Sequence, residues 1–103
     1  MVQFDIVKNR KKRNDVEFLI NLQSESVSLL DTRIVAPLRR ADNFEDKMIS
    51  NVHFSLTVNG ESYIAFISEL AAVPTNILGE CVGNAENCRT EIISAIDLLF
   101  TGF

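Results

Sequence analysis

A hairpin near the middle of the chain constrains its fold more than any other feature. Across residues 52–58 the pattern alternates without a break. Val52, Phe54, Leu56 and Val58 fall on one side, and His53, Ser55 and Thr57 on the other. Asn59-Gly60 follows at once, and both residues tolerate the positive φ that a two-residue type I′ turn demands. Residues 62–68 then return as the partner strand. The chain is therefore committed to antiparallel sheet.

Three more segments read as strands. Residues 3–7 alternate, with Phe4 and Ile6 on one face and Gln3 and Asp5 on the other. Residues 16–22 are rich in branched and aromatic side chains and stop at the polar run Gln23-Ser24-Glu25-Ser26. Residues 33–38 form another strand, whose Pro37 confines that end to an edge or a bulge. Residues 39–50 are polar and weakly periodic, a short helix or an irregular loop. Residues 89–100 form a helix. Ile92, Ile96, Leu99 and Phe103 recur at the helical period, with Ile93 and Phe100 widening the stripe. Asn84 or Asn87 is placed to cap it, and Gly102 suits the position just past its end. Short strands followed by one terminal helix predict a mainly β fold, a small bent sheet or barrel with a helix appended.

At 103 residues the chain is the size of one domain, spanning 1–103, and its 47% hydrophobic and 23% charged residues are ordinary for a globular protein. The net charge of −4 disfavours direct, non-specific binding of nucleic acid by the whole surface. No apolar run is long enough to span a bilayer, so no membrane partner is expected. Met1-Val2-Gln3-Phe4-Asp5 shows no secretory signal, so a cytoplasmic protein is expected. Charge is unevenly spread: Lys8, Arg10, Lys11, Lys12 and Arg13 cluster, whereas from Ser50 onward Arg89 faces six acids. The basic cluster reads either as a solvated hairpin loop, with Asn9 and Asn14 supplying turn chemistry, or as an electrostatic handle for an acidic partner.

Chemistry-bearing motifs are sparse. Cys81 and Cys88 are expected as reduced thiols, and with the lone His53 they fall short of a zinc ligand set, so no metal and no cofactor is expected. His53 sits on the polar face of its strand beside Ser55 and Thr57, where a partly exposed ring is expected. Nothing fixes a nucleophile–base–carboxylate geometry around it. The four glycines are scattered and form no phosphate loop. Phe54 and Phe66 read as core rather than as a base-stacking platform. By residue pattern this is a binding module with no catalytic residues.

Several segments, taken together and in order, resemble one family. They are Gln3-Phe4, Asn21-Leu22-Gln23-Ser24, the run from Thr32 to Leu38, Val73-Pro74, Ile77-Leu78-Gly79-Glu80, and the ending from Ile92 to Phe103. This co-linear set is similar to the CcdB toxins of bacterial toxin–antitoxin modules and covers a little more than half of the chain. The resemblance implies a homodimer built on an SH3-like β-barrel with a small additional sheet and a C-terminal α-helix. It implies a poison of DNA gyrase rather than an enzyme. Such a dimer enters the opened dimerisation region of the DNA-cleaving subunit of gyrase, stabilises the complex covalently joined to broken DNA, and is neutralised by a cognate CcdA-like antitoxin.

Carried over residue by residue, the resemblance assigns gyrase contact to Asp97, Phe100, Thr101, Gly102 and Phe103, with Ser26 and Val27 as a neighbouring contact; it assigns no antitoxin-binding residue. Thr101 stands where the family typically has tryptophan, Asp97 where it has asparagine, and Phe103 in place of a terminal isoleucine. Loss of a buried tryptophan costs ~2 kcal/mol or more of partner affinity. The alternatives are a barrel-type toxin that acts as a sequence-specific endoribonuclease, and a degenerate relative that folds and dimerises without binding gyrase.

Overall fold

Asn59 and Gly60 take positive φ angles of 53° and 82°, and the turn they form joins β4 (His53–Val58) to β5 (Glu61–Phe66) in unbroken register from Val58↔Glu61 to His53↔Phe66. Both central residues of a type I′ turn need that backbone region, so the sequence expectation holds. This is a computed structural model, and it describes residues 1–11, 16–27, 29–44 and 47–102. The remaining strands are β1 (Asp5–Asn9), β2 (Phe18–Asn21), β3 (Thr32–Arg40), β6 (Ala71–Pro74) and β7 (Leu78–Asn84). Two helices are described, the one-turn α1 (Ala41–Phe44) and α2 (Arg89–Thr101).

The strands form one curled antiparallel sheet in the order β4-β5-β3-β2-β1-β7, with β6 also on β3. It is an SH3-like half-barrel with a C-terminal helix, in which the β4–β5 hairpin makes the smaller wing. β3 holds it together. On one side β3 pairs with β2 through residues 35–38; on the other it pairs first with β6 through Val35 and then with β5 from Leu38. Pro37 lies in the gap between those two partners. It was expected at an edge or bulge, yet it is buried in the central strand opposite Leu19. A residue without an N–H is tolerated where one side of the ladder changes hands.

Both faces of the inner strands are covered. Ile6, Phe18, Ile20, Ala36 and Leu38 point into the main core with Phe4, Tyr63, Ile67, Ile92 and Ala95. Their neighbours Val7, Leu19 and Val35 point the other way, into a smaller cluster with Val16 and Leu78. The two-residue period of a strand sorts consecutive side chains onto opposite faces, so the apolar pairs run together, as Ile6-Val7 in β1 and Phe18-Leu19-Ile20 in β2. The first strand is therefore not the half-buried one expected at 3–7. It starts later, and Gln3 and Phe4 form the turn into it, Phe4 at a φ of 69°.

Two strands of the sheet, β6 and β7, were not read from the sequence. β7 pairs with β1 through two register shifts, and at the second Gly79 lies against Lys8. A Cβ on Gly79 would stand 3.0 Å from the Lys8 carbonyl oxygen. Side-chain amides support the chain around the strands. Asn9 accepts the Lys11 N–H and donates to the Val16 carbonyl, so the turn chemistry read for the β1–β2 connection is present at Asn9. Asn14, Lys12 and Arg13 lie outside the described residues.

Candidate functional site

Ser26 and Val27 sit on a short 3₁₀ turn, Glu25–Val27, in the connection between β2 and β3. Both are exposed. The turn is closed by Ser24, whose hydroxyl accepts the Ser26 N–H at 3.1 Å and whose carbonyl accepts the Val27 N–H at 3.2 Å. Gln23 anchors it. The Gln23 amide donates to the carbonyls of Val27 (3.0 Å) and Thr32 (3.3 Å), and its oxygen accepts the Ile34 N–H (3.1 Å). One buried side chain thus ties the turn to the first residues of β3. The family-like run included Gln23, but pattern reading gave it no role. An amide that ends an apolar strand two residues after another buried amide, Asn21, is the signal that marks it.

The other candidates lie at the end of α2. The front half of the helix is buried: Ile92 and Ala95 enter the main core and Ile96 packs against it. Ile93, 38% exposed, lies on the outer face between them, and past Ile96 burial fades, with Leu98 half-buried, Leu99 39% and Phe100 68% exposed. The stripe expected from Ile92 through Leu99 to Phe100 is therefore core at its start and open surface at its end. The helix leans on the 3₁₀ turns Ile67–Glu69 and Glu86–Cys88. Gly102 takes a left-handed φ of 82° and donates its N–H to the Leu98 carbonyl at 3.1 Å, the expected end cap. The Thr101 hydroxyl turns back to the Asp97 carbonyl at 2.6 Å, so Phe100 is the larger feature offered outward. Phe103 lies outside the described residues.

At its start α2 departs from expectation. Cys88 holds the N-cap position without a side-chain cap bond. The Asn84 oxygen instead accepts the Glu86 N–H at 2.8 Å, capping the preceding 3₁₀ turn. The two candidate groups, residues 26–27 and 97–102, are placed on separate elements, a strand connection and a helix end.

His53 is also corrected. It is 4% exposed, stacked on Phe66 at 4.2 Å, and enclosed by the segment leading into β4. Its Nδ1 accepts the Ile49 N–H at 3.1 Å, and its Nε2 meets the Ser68 hydroxyl at 2.6 Å. Burial, opposed by Glu69 and the Lys47 carbonyl, holds its pKa below the ordinary 6.5. With Nδ1 accepting the Ile49 N–H, the neutral ring carries its proton on Nε2 and donates it to Ser68; the other tautomer would turn Nδ1–H toward the Lys47 carbonyl and let Nε2 accept from Ser68. A nucleophile–base pair needs that second form, with Nε2 taking the serine proton. Ser68 and His53 are joined, but no carboxylate orients the ring: its Nδ1 faces the Ile49 N–H and the Lys47 carbonyl. Cys81 and Cys88 are free thiols, and burial raises the pKa of Cys88. No group of metal-binding residues occurs among the described residues, nor is any described helix long and apolar enough to cross a membrane.

The candidate residues that the structure describes are thus an exposed helix end and an anchored turn. Residues 3–102 match the family model described as CcdB protein. The chain belongs to the CcdB family. The match runs from the turn before β1 to the glycine that caps α2, so it takes in the whole sheet and every described candidate residue. CcdB membership makes the chain a toxin of the toxin–antitoxin kind and not a catalytic enzyme.

Proposed function

We propose that this CcdB-family chain is a gyrase poison. As a homodimer it binds the DNA-cleaving subunit of gyrase and holds the enzyme in the complex covalently joined to broken DNA, until a cognate antitoxin neutralises it. The observation that carries the reading is the end of α2. An apolar ring, Phe100, stands two-thirds exposed on a helix whose front half is rooted in the core. A large exposed aromatic on a rigid base is the anchor type that dominates binding energies. A two-fold protein suits a two-fold target, each half repeating the same contacts. Thr101, its hydroxyl turned back to the helix, offers less area than a tryptophan would, which lowers affinity without moving the site.

Purified protein incubated with gyrase and supercoiled DNA should accumulate cleaved DNA covalently bound to gyrase. Purified messenger RNA in a parallel reaction should stay intact. RNA cleavage with no gyrase–DNA complex overturns the proposal in favour of a ribonuclease. Inertness in both reactions makes the chain a non-toxic relative.

A further inference from the structure

His53 closes a turn with both its ring and its backbone. Its Nδ1 accepts the Ile49 N–H, while the Ile49 carbonyl accepts the N–H groups of His53 (2.9 Å) and Val52 (3.2 Å). The turn has few other holds. The Ile49 side chain is exposed, and Asn51 is exposed at a φ of 73°. His53 also lines, with Asn51 and Phe54, one wall of an open groove whose other wall is α2 through Thr90, Ser94 and Leu98.

We propose that His53 is a proton-operated latch for residues 47–52: the neutral imidazole holds this segment against β4 and β5, and the imidazolium releases it. The reason lies in the tautomer. With Nε2 already protonated and bonded to Ser68, a second proton must enter at Nδ1. That turns the acceptor of the Ile49 N–H into a donor facing a donor. The Lys47 carbonyl, already beside the ring, offsets part of that cost, but burial and the opposed Ile49 N–H remain, so the charged ring favours a rearranged segment over the present one.

The surrounding charges do not rescue the present arrangement. Glu69 attracts the imidazolium but is engaged by Arg39 at 3.0 Å. The Arg39 guanidinium lies over the Phe44 and Phe66 rings, and the Lys47 ammonium over Phe44, which puts two cations close by. Glu91 on α2 faces the same groove. Burial outweighs these and keeps the folded pKa below 6.5. A group whose neutral form the fold prefers stabilises fully above its unfolded pKa. That stabilisation is lost as the pH falls through the lower folded value. The latch is therefore shut at neutral pH and opens on acidification, changing one wall of the groove beside the helix that carries Phe100.

The test is amide hydrogen exchange on the full chain near pH 7.5 and near pH 5, corrected for intrinsic rates, with nitrogen spectra of the His53 ring. The ring should be the Nε2–H tautomer at the higher pH. At the lower pH the Ile49, Val52 and His53 amides should lose protection by roughly tenfold or more, while β1 and β2 keep theirs. His53→Gln should abolish that pH dependence. An Nδ1–H ring at the higher pH, or Ile49 protection unchanged at the lower, overturns the latch. Should His53→Gln fail to fold, the wild-type ring titration decides, since its midpoint must coincide with the loss of Ile49 protection and separate midpoints overturn the proposal.

Discussion

Gln23 concentrates the energetics of the β2–β3 connection in one side chain. Gln23→Leu keeps the volume but leaves the Val27 and Thr32 carbonyls and the Ile34 N–H without that partner. Three bonds are lost at once from partly buried groups, so chemical denaturation should show a loss of about 1–2 kcal/mol. The Val27 amide should exchange faster in the same variant. Gly79 makes the opposite point, about crowding. In Gly79→Ala the new methyl meets a backbone oxygen that cannot rotate away, and denaturation should report about 1–3 kcal/mol lost. Gly83→Ala is the control, because its methyl would find nothing nearer than Ile6 Cδ1 at 4.0 Å. Neither effect is legible in the sequence, where Gly79 and Gly83 look alike; what separates them is how closely β1 runs past each.

Local signals were readable at the scale of elements, and partners distant along the chain were not. The β4–β5 hairpin carries its alternation, turn and register within a few consecutive residues, and α2 carries its period and glycine cap in the same way. β6, with two alanines and a proline, and β7, with two glycines, have no such local pattern. They are strands because β3 and β1 offer edges. His53 was misread for a related reason, since its burial comes from Phe66 across the hairpin and from the segment at Ile49. The candidate site was legible only as a resemblance, because exposed residues on a turn and a helix end leave no periodic trace. For α2 the division between rooted front and open end gives a clean expectation. Phe100→Ala should cost only the ~0.5 kcal/mol of stability typical of an exposed position, and so barely move the melting temperature, while gyrase pull-down falls sharply. A large drop in melting temperature would instead assign Phe100 to packing.

At the scale of the whole molecule, apolar side chains left open to water are the kind of surface a second copy covers. Ile93, Leu99 and Phe100 lie on α2, and Val27, Leu29 and Leu30 are exposed on the β2–β3 connection. Sedimentation at micromolar concentration should give about twice the 11.6 kDa of one chain, and a clean monomer would refute the dimer. The pairing of Asp5 with Asn84 carries a further consequence, for the order of assembly during synthesis. β1 leaves the ribosome well before its second neighbour, β7. Until Asn84 emerges, a nascent chain has the β1–β2–β3 meander with one flank unzipped, and closing that flank spans most of the polypeptide. The end of α2 is translated later still. A chain that stops before β7 therefore lacks both the zipped flank and the helix end, and leaves the β1 edge open to any other strand.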